Sequence, residues 1–252
     1  MASSSNSVKL TKAPLQEVIF EAFWELDIHP QMRESYDPGF ELAQGVFAEL
    51  VREKFPFYRR IPSPIVPPAW LNRRPVHQFR KGEDQWPVLQ LGPGLFTAND
   101  TEKTYVWEAE LRPLIEYGLD ALVKSYKEPP SFEKVALRYI DAVELEGEFK
   151  DDFIKFIETN LQVRVLGSFE EGGTVRNQSI SQVYLLADDS TLHLTISDGR
   201  RNKRPAVVWQ TAIVKEEQLK VEEIKNWISH AHSTLSDLFK RMLREEYYDS
   251  LK

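Results

Sequence analysis

The chain has 252 residues, 42% of them hydrophobic, enough for one large core or two ordinary ones. Its formal net charge of -7 argues against a general nucleic-acid binder, because sequence-independent affinity for nucleic acid comes from Lys and Arg neutralising phosphates. The absence of cysteine excludes disulfides, thiolate nucleophiles and Cys-ligated metals or clusters, and fits a cytoplasmic location.

The N-terminus is small and polar, with no apolar run long enough for a signal peptide or a membrane span, so residues 1–13 read as a flexible leader. From Pro14 to Leu26 the residues alternate: Val18, Phe20, Ala22 and Trp24 lie on one side, and Ile19, Glu21, Phe23 and Glu25 on the other. This is a strand with one strongly apolar face. Phe40 to Lys54 predicts a helix with Leu42, Val46, Leu50 and Val51 at inward spacing. Between Pro56 and Pro75 six prolines forbid regular helix and leave edge strand or extended chain, read as a long arm carrying Trp70. Short strands are expected at Val76–Lys81, Trp86–Leu91 and Leu95–Ala98, the last two joined by Gly92-Pro93-Gly94. Tyr105 to Tyr126 predicts a long helix with Trp107, Leu111, Leu114, Ile115, Leu119 and Leu122 as its apolar stripe.

Pro129-Pro130 ends that helix, and the order of elements starts again. Val135 to Leu145 predicts a strand, with Arg138 and Asp141 inside it, and Asp151 to Asn160 a helix with Phe153, Phe156 and Ile157 inward. Strands follow near Leu161–Phe169, Gln178–Ala187, Thr191–Ser197 and Ala206–Val214, with Asp188-Asp189-Ser190 as a hairpin turn. Glu216 to about Glu246 predicts the final helix, with Leu219, Ile224, Trp227, Ile228, Leu235, Leu238, Phe239 and Met242 spaced for burial. The expected fold is α+β: two β-α-β-α halves, residues 14–128 and 129–252, form one continuous domain, a curved antiparallel sheet with two long helices on one face. Superposing the first strands sets Glu21 opposite Arg138 at an offset of 117 residues, an ion pair that would help fix register if the strands meet antiparallel. Asp141 then falls on the inner face and needs a hydrogen-bond partner.

A twice-repeated β-α-β4-α order resembles the TATA-binding-protein fold in topology, although a DNA saddle needs a basic concave face and this chain is acidic. Four short motifs carry a second resemblance: Pro14-Leu15-Gln16-Glu17-Val18, Leu89-Gln90-Leu91-Gly92-Pro93, Leu137-Arg138-Tyr139-Ile140, and Ala231-His232 with Phe239. In these the chain is similar to a sporadically distributed family of uncharacterised prokaryotic proteins. The resemblance implies an accessory gene of the defence or toxin–antitoxin kind and carries no activity or catalytic residue with it.

No reactive constellation stands out. His230 and His232 are about 200° apart on a helix, where zinc motifs use i and i+4. There is no G-x-S-x-G elbow, and the paired carboxylates at 151–152, 170–171 and 188–189 sit at turns or helix starts. Gly92-x-Gly94 and Gly172-Gly173 lack the strand and helix that make a phosphate loop. No cofactor, metal or catalytic residue is therefore assigned. The basic run of Arg200, Arg201, Lys203 and Arg204 reads as a loop tip that could join Arg59-Arg60 and Arg73-Arg74 in an anion patch. The expected function is non-catalytic binding of a protein partner or a second copy, through Arg138, Glu21, Phe23 and Ile140 on the open sheet face and through Trp70. The alternative is a sensor or enzyme for a small anion or nucleotide, held in the groove between the halves by Arg138, Arg200, Arg201 and Arg204.

Overall fold

The computed structural model describes residues 10–61, 66, 68–101, 106–164 and 178–252. In chain order the elements are β1 (Leu15–Trp24), β2 (Asp27–Ile28), β3 (Ser35–Tyr36), α1 (Phe40–Val51), β4 (Phe57–Arg60), β5 (His77–Arg80), β6 (Val88–Gly92) and β7 (Leu95–Asp100). Then come α2 (Arg112–Ser125), β8 (Phe132–Glu144), α3 (Phe153–Asn160), β9 (Ser179–Leu185), β10 (Thr191–Arg201), β11 (Arg204–Lys215), α4 (Val221–Met242) and α5 (Glu245–Ser250). The architecture is α+β. Nine strands form one antiparallel sheet in the order β4-β5-β6-β7-β1-β8-β11-β10-β9, so strands before residue 101 lie on one side of the β1–β8 seam and those after it on the other.

Alternation in β1 and β8 decides what faces the helices. Val18, Phe20, Ala22 and Trp24 are buried against the helical layer together with Val135 and Leu137, while Ile19, Glu21 and Phe23 turn to the opposite face and stay partly exposed. The predicted stripes of α2, α3 and α4 pack with Phe20 and Trp209 in one core, with Leu238 and Phe239 of α4 only partly buried. A five-residue π-turn, Trp107–Leu111, leads into α2. Gly118 lets α2 lie close on the sheet, since a Cβ there would come within 2.4 Å of the Phe96 ring. Across the halves, Lys225 Nζ of α4 bonds Asp120 Oδ1 of α2 at 2.6 Å.

Two expectations change. On α1 the buried residues are Phe40, Ala43, Phe47 and Val51, while Leu42, Val46 and Leu50 are exposed. The sequence carries two apolar stripes, and the aromatic one takes the sheet because Phe47 packs on Phe79 and Phe96 with ring centroids 5.2 and 6.1 Å apart. The arm contains the edge strand that its prolines permit, since Phe57–Arg60 is β4 paired with β5. The run from Arg200 to Arg204 is not a loop tip. β10 runs to Arg201 and β11 starts at Arg204, so the turn is Asn202-Lys203, both with positive φ of 50° and 68° as a tight two-residue hairpin requires. Leu161 forms only an isolated bridge to Leu243, and the rest of the strand expected at Leu161–Phe169 lies, from residue 165, outside the described residues.

The candidate binding face

Register places three rows of side chains across the face turned away from the helices. One runs Ile19, Arg138, Ala212, His193, Val183; a second Glu17, Ile140, Gln210, Thr195, Ser181; a third Glu21, Ala136, Val214, Thr191, Leu185. This face is not uniformly accessible. On β6 and β7 its residues Val88, Leu95, Thr97 and Asn99 are buried, whereas from β1 outwards Ile19, Phe23, Ile140, Val208 and Val214 are half-exposed. At the β9 edge Val183 and Leu185 are 61% and 75% exposed. The accessible part is thus a mixed surface from β1 to β9 in which aliphatic side chains are interspersed with polar ones.

Arg138 sits near its centre. Its Nη2 donates to Glu21 Oε2 at 3.0 Å across the seam, the pair expected from the offset of the two strands. Both side chains keep partial solvent contact, 33% and 20%. The pairing is incomplete, for Arg138 Nε is buried and has no hydrogen-bond partner. Beside it Asn99 Nδ2 donates to Glu17 Oε1 at 3.1 Å, and Thr97 Oγ1 donates to Gln90 Oε1 at 2.9 Å. The guanidinium therefore has one carboxylate partner and donor capacity left over, in an apolar setting that strengthens any further charge-assisted bond.

Comparison with protein-family models, curated proteins and solved structures finds no match for this chain.

The remaining sequence candidates do not gather round Arg138. Arg201 and Arg204 share its face but are engaged near the hairpin end: Arg201 Nη1 donates to Ala142 O at 3.0 Å, and Arg204 Nη1 to Glu144 Oε2 at 3.3 Å and Glu146 Oε1 at 2.8 Å. Arg200, one residue from Arg201 along the strand, points to the opposite face. Arg59 and Arg60 lie on β4, six strand steps from β11 or roughly 29 Å, and Arg73 is bonded to Glu133. The composite anion patch is not assembled. Trp70 is 69% exposed in a short 3-10 turn, Pro68–Leu71. Among the described residues no cluster of His, Asp and Glu has the arrangement of a metal site.

On the helical face lies a polar group that sequence reasoning did not assemble. His232 of α4 stacks on Trp107 with centroids 4.0 Å apart and planes 6° from parallel, and its Nδ1 shares a 2.8 Å hydrogen bond with the Tyr139 hydroxyl. Burial, aided by Lys240, lowers its pKa to about 4, so it is neutral at physiological pH. His230 is exposed on the other side of the helix, as two-residue spacing requires. Asp141, 4% exposed, lies opposite Trp209, and desolvation raises its pKa to about 7 despite the lowering effect of the Trp209 indole N–H, which falls outside standard hydrogen-bond geometry. It in turn helps burial push the Tyr247 hydroxyl up to about 12. In the other half Asp37 accepts from Trp24 Nε1 at 2.9 Å and Tyr126 Oη at 2.8 Å, and His77, lowered to about 4 by burial and Arg60, shares a 2.7 Å bond with Tyr58 Oη. The alternation that put Tyr139 and Asp141 inward was the available signal. The helical residue that would meet them was not readable from it.

Proposed function

We propose that the protein is a non-catalytic binding component that holds a protein partner on the β1-to-β9 part of its open sheet face. The observation that carries this reading is the field of half-exposed and exposed aliphatic side chains, Ile19, Ile140, Val214, Val183 and Leu185, around an arginine with unused donors. Aliphatic side chains interspersed with polar ones are the composition of non-obligate interaction faces, and Arg is among the residues that dominate their energetics. The partner's chemistry follows: an apolar contact surface that brings a carboxylate to Arg138. We read the repeated order of elements as an internal duplication, and the four short sequence motifs support a prokaryotic defence or toxin–antitoxin setting in the cytoplasm.

Co-expression with the proteins encoded beside this gene, followed by size-exclusion chromatography with light scattering, is the test. A 1:1 complex is expected that is lost in Ile140→Asp and weakened about tenfold or more in Arg138→Ala, with thermal unfolding of the free variants little changed. A wild-type chain that elutes alone as a monomer overturns the reading. Self-association abolished by the same substitutions would assign the face to a second copy instead. A small-anion sensor is the second reading, favoured by the free donors of Arg138 alone, and it predicts Arg138→Ala loss of anion binding with no effect of Ile140→Asp.

A further inference from the structure

A cleft of about 550 Å³ opens on the other side of the molecule, walled by the residues after α1, the β5–β6 connection, the end of β7 and the start of α2. That volume is of the size that encloses a small metabolite. Its walls combine aromatic and apolar residues with four charged ones, Lys54, Lys81, Asp100 and Glu110, which are unequally committed. Glu110 Oε2 accepts the Val106 backbone N–H at 2.7 Å, which turns that carboxylate toward the helix start, and Asp100 is buried in the wall. Lys54 and Lys81 are exposed, and neither ammonium forms an ion pair among the described residues. Lys54 Nζ is held 4.3 Å from the centroid of the Tyr117 ring. That ring is fixed in turn, because its hydroxyl donates to Leu50 O at 2.9 Å and it stacks with Phe55. Trp86 contributes a half-buried indole, with the Arg80 guanidinium 4.8 Å from its centroid.

We infer that this cleft binds a small molecule that joins a flat aromatic ring to an anionic group, the ring lying along Trp86 and the anion held by Lys54 and Lys81. The indole face away from Arg80 supplies a surface for stacking, and two ammonium groups without an ion pair among the described residues supply the counter-charge. A nucleoside phosphate and an aryl carboxylate both have this chemistry. The site is separate from the open sheet face, so either can stand without the other.

Isothermal titration calorimetry of the full chain with adenosine monophosphate in one arm and 1-naphthoate in the other tests the inference. Saturable binding of at least one probe is expected with a Kd of about 0.1–1 mM, weakened about tenfold or more in the Lys54→Ala/Lys81→Ala double variant and in Trp86→Leu, and unchanged in Ile140→Asp. The tighter arm names the source of the ligand. Absence of saturation by both probes up to about 5 mM, or binding indifferent to the lysine substitutions, overturns it. Because the two lysines are exposed, a folded double variant is expected, and its circular dichroism spectrum checks that.

Discussion

Asp141 is the residue whose environment most contradicts its chemistry. A carboxyl group is buried opposite Trp209, and its pKa rises from 3.8 to about 7. A raised acid pKa stabilises the folded state fully below the unfolded value and loses that contribution as pH climbs through about 7, where the charged form must stay buried. His77 and His232 act in the opposite sense. Their pKa values fall from 6.5 to about 4, so their contribution is complete above pH 6.5 and is lost as pH drops toward 4. The two effects oppose each other between roughly pH 4 and 6.5, which puts maximal stability near neutrality or slightly below it. Asp141→Asn should match the wild type below about pH 4 and exceed it by roughly 2–4 kcal/mol at pH 8. Urea unfolding at several pH values measures the difference. A variant no more stable than wild type at pH 8 would show that Asp141 is charged and well solvated by groups around it. The Glu21–Arg138 pair is a different case: both partners touch solvent, so its worth is about 1 kcal/mol at most, and its larger effect is on register.

At the scale of elements, α1 shows where periodicity leaves a choice open. Leu42, Val46 and Leu50 repeat every four residues, and Phe40, Ala43, Phe47 and Val51 trace a second helical stripe. Spacing cannot rank them. Packing does, because the larger rings of Phe47, Phe79 and Phe96 fill the space between helix and sheet better than aliphatic chains would. Phe47→Ala should therefore cost about 3–5 kcal/mol, while Leu42→Lys and Val46→Lys should each change stability by no more than about 0.5 kcal/mol. Chemical denaturation of the three variants distinguishes this packing from its reverse, in which the costs would exchange. The β10–β11 hairpin gives a related lesson. A basic, polar run between two apolar strands looks like a loop, yet the strands continue through it. Their alternation then sends Arg200 to one face and Arg201 to the other, which disperses the charge that the sequence had concentrated.

For the whole molecule, the β1–β8 seam makes the two halves interdependent. β1 pairs with β8 along most of its length, Trp107 of one half stacks on His232 of the other, and Asp120 bonds Lys225. Separation would expose the long apolar edges of β1 and β8 and strip one wall from each helix. Expressed alone, residues 14–128 and 129–252 should each fail to give a dispersed amide NMR spectrum, whereas co-expressed they should associate. A well-dispersed spectrum from either piece by itself would establish an autonomous domain. The α+β class, the faces of β1 and β8, the buried stripes of α2, α3 and α4, and the Glu21–Arg138 pair were legible in the sequence. Each follows from a local period of two or near 3.6 residues, with the pair needing one alignment of the halves as well. What only the tertiary structure decided is which elements meet: the sheet order that holds Arg59 far from Arg204, the contact of His232 with Tyr139 and Trp107, the placing of Asp141 opposite Trp209, and the cleft between Lys54, Trp86 and Tyr117. Periodicity sets the side on which a residue lies. Its neighbour comes from strand order, register and helix packing, which depend on the whole chain at once.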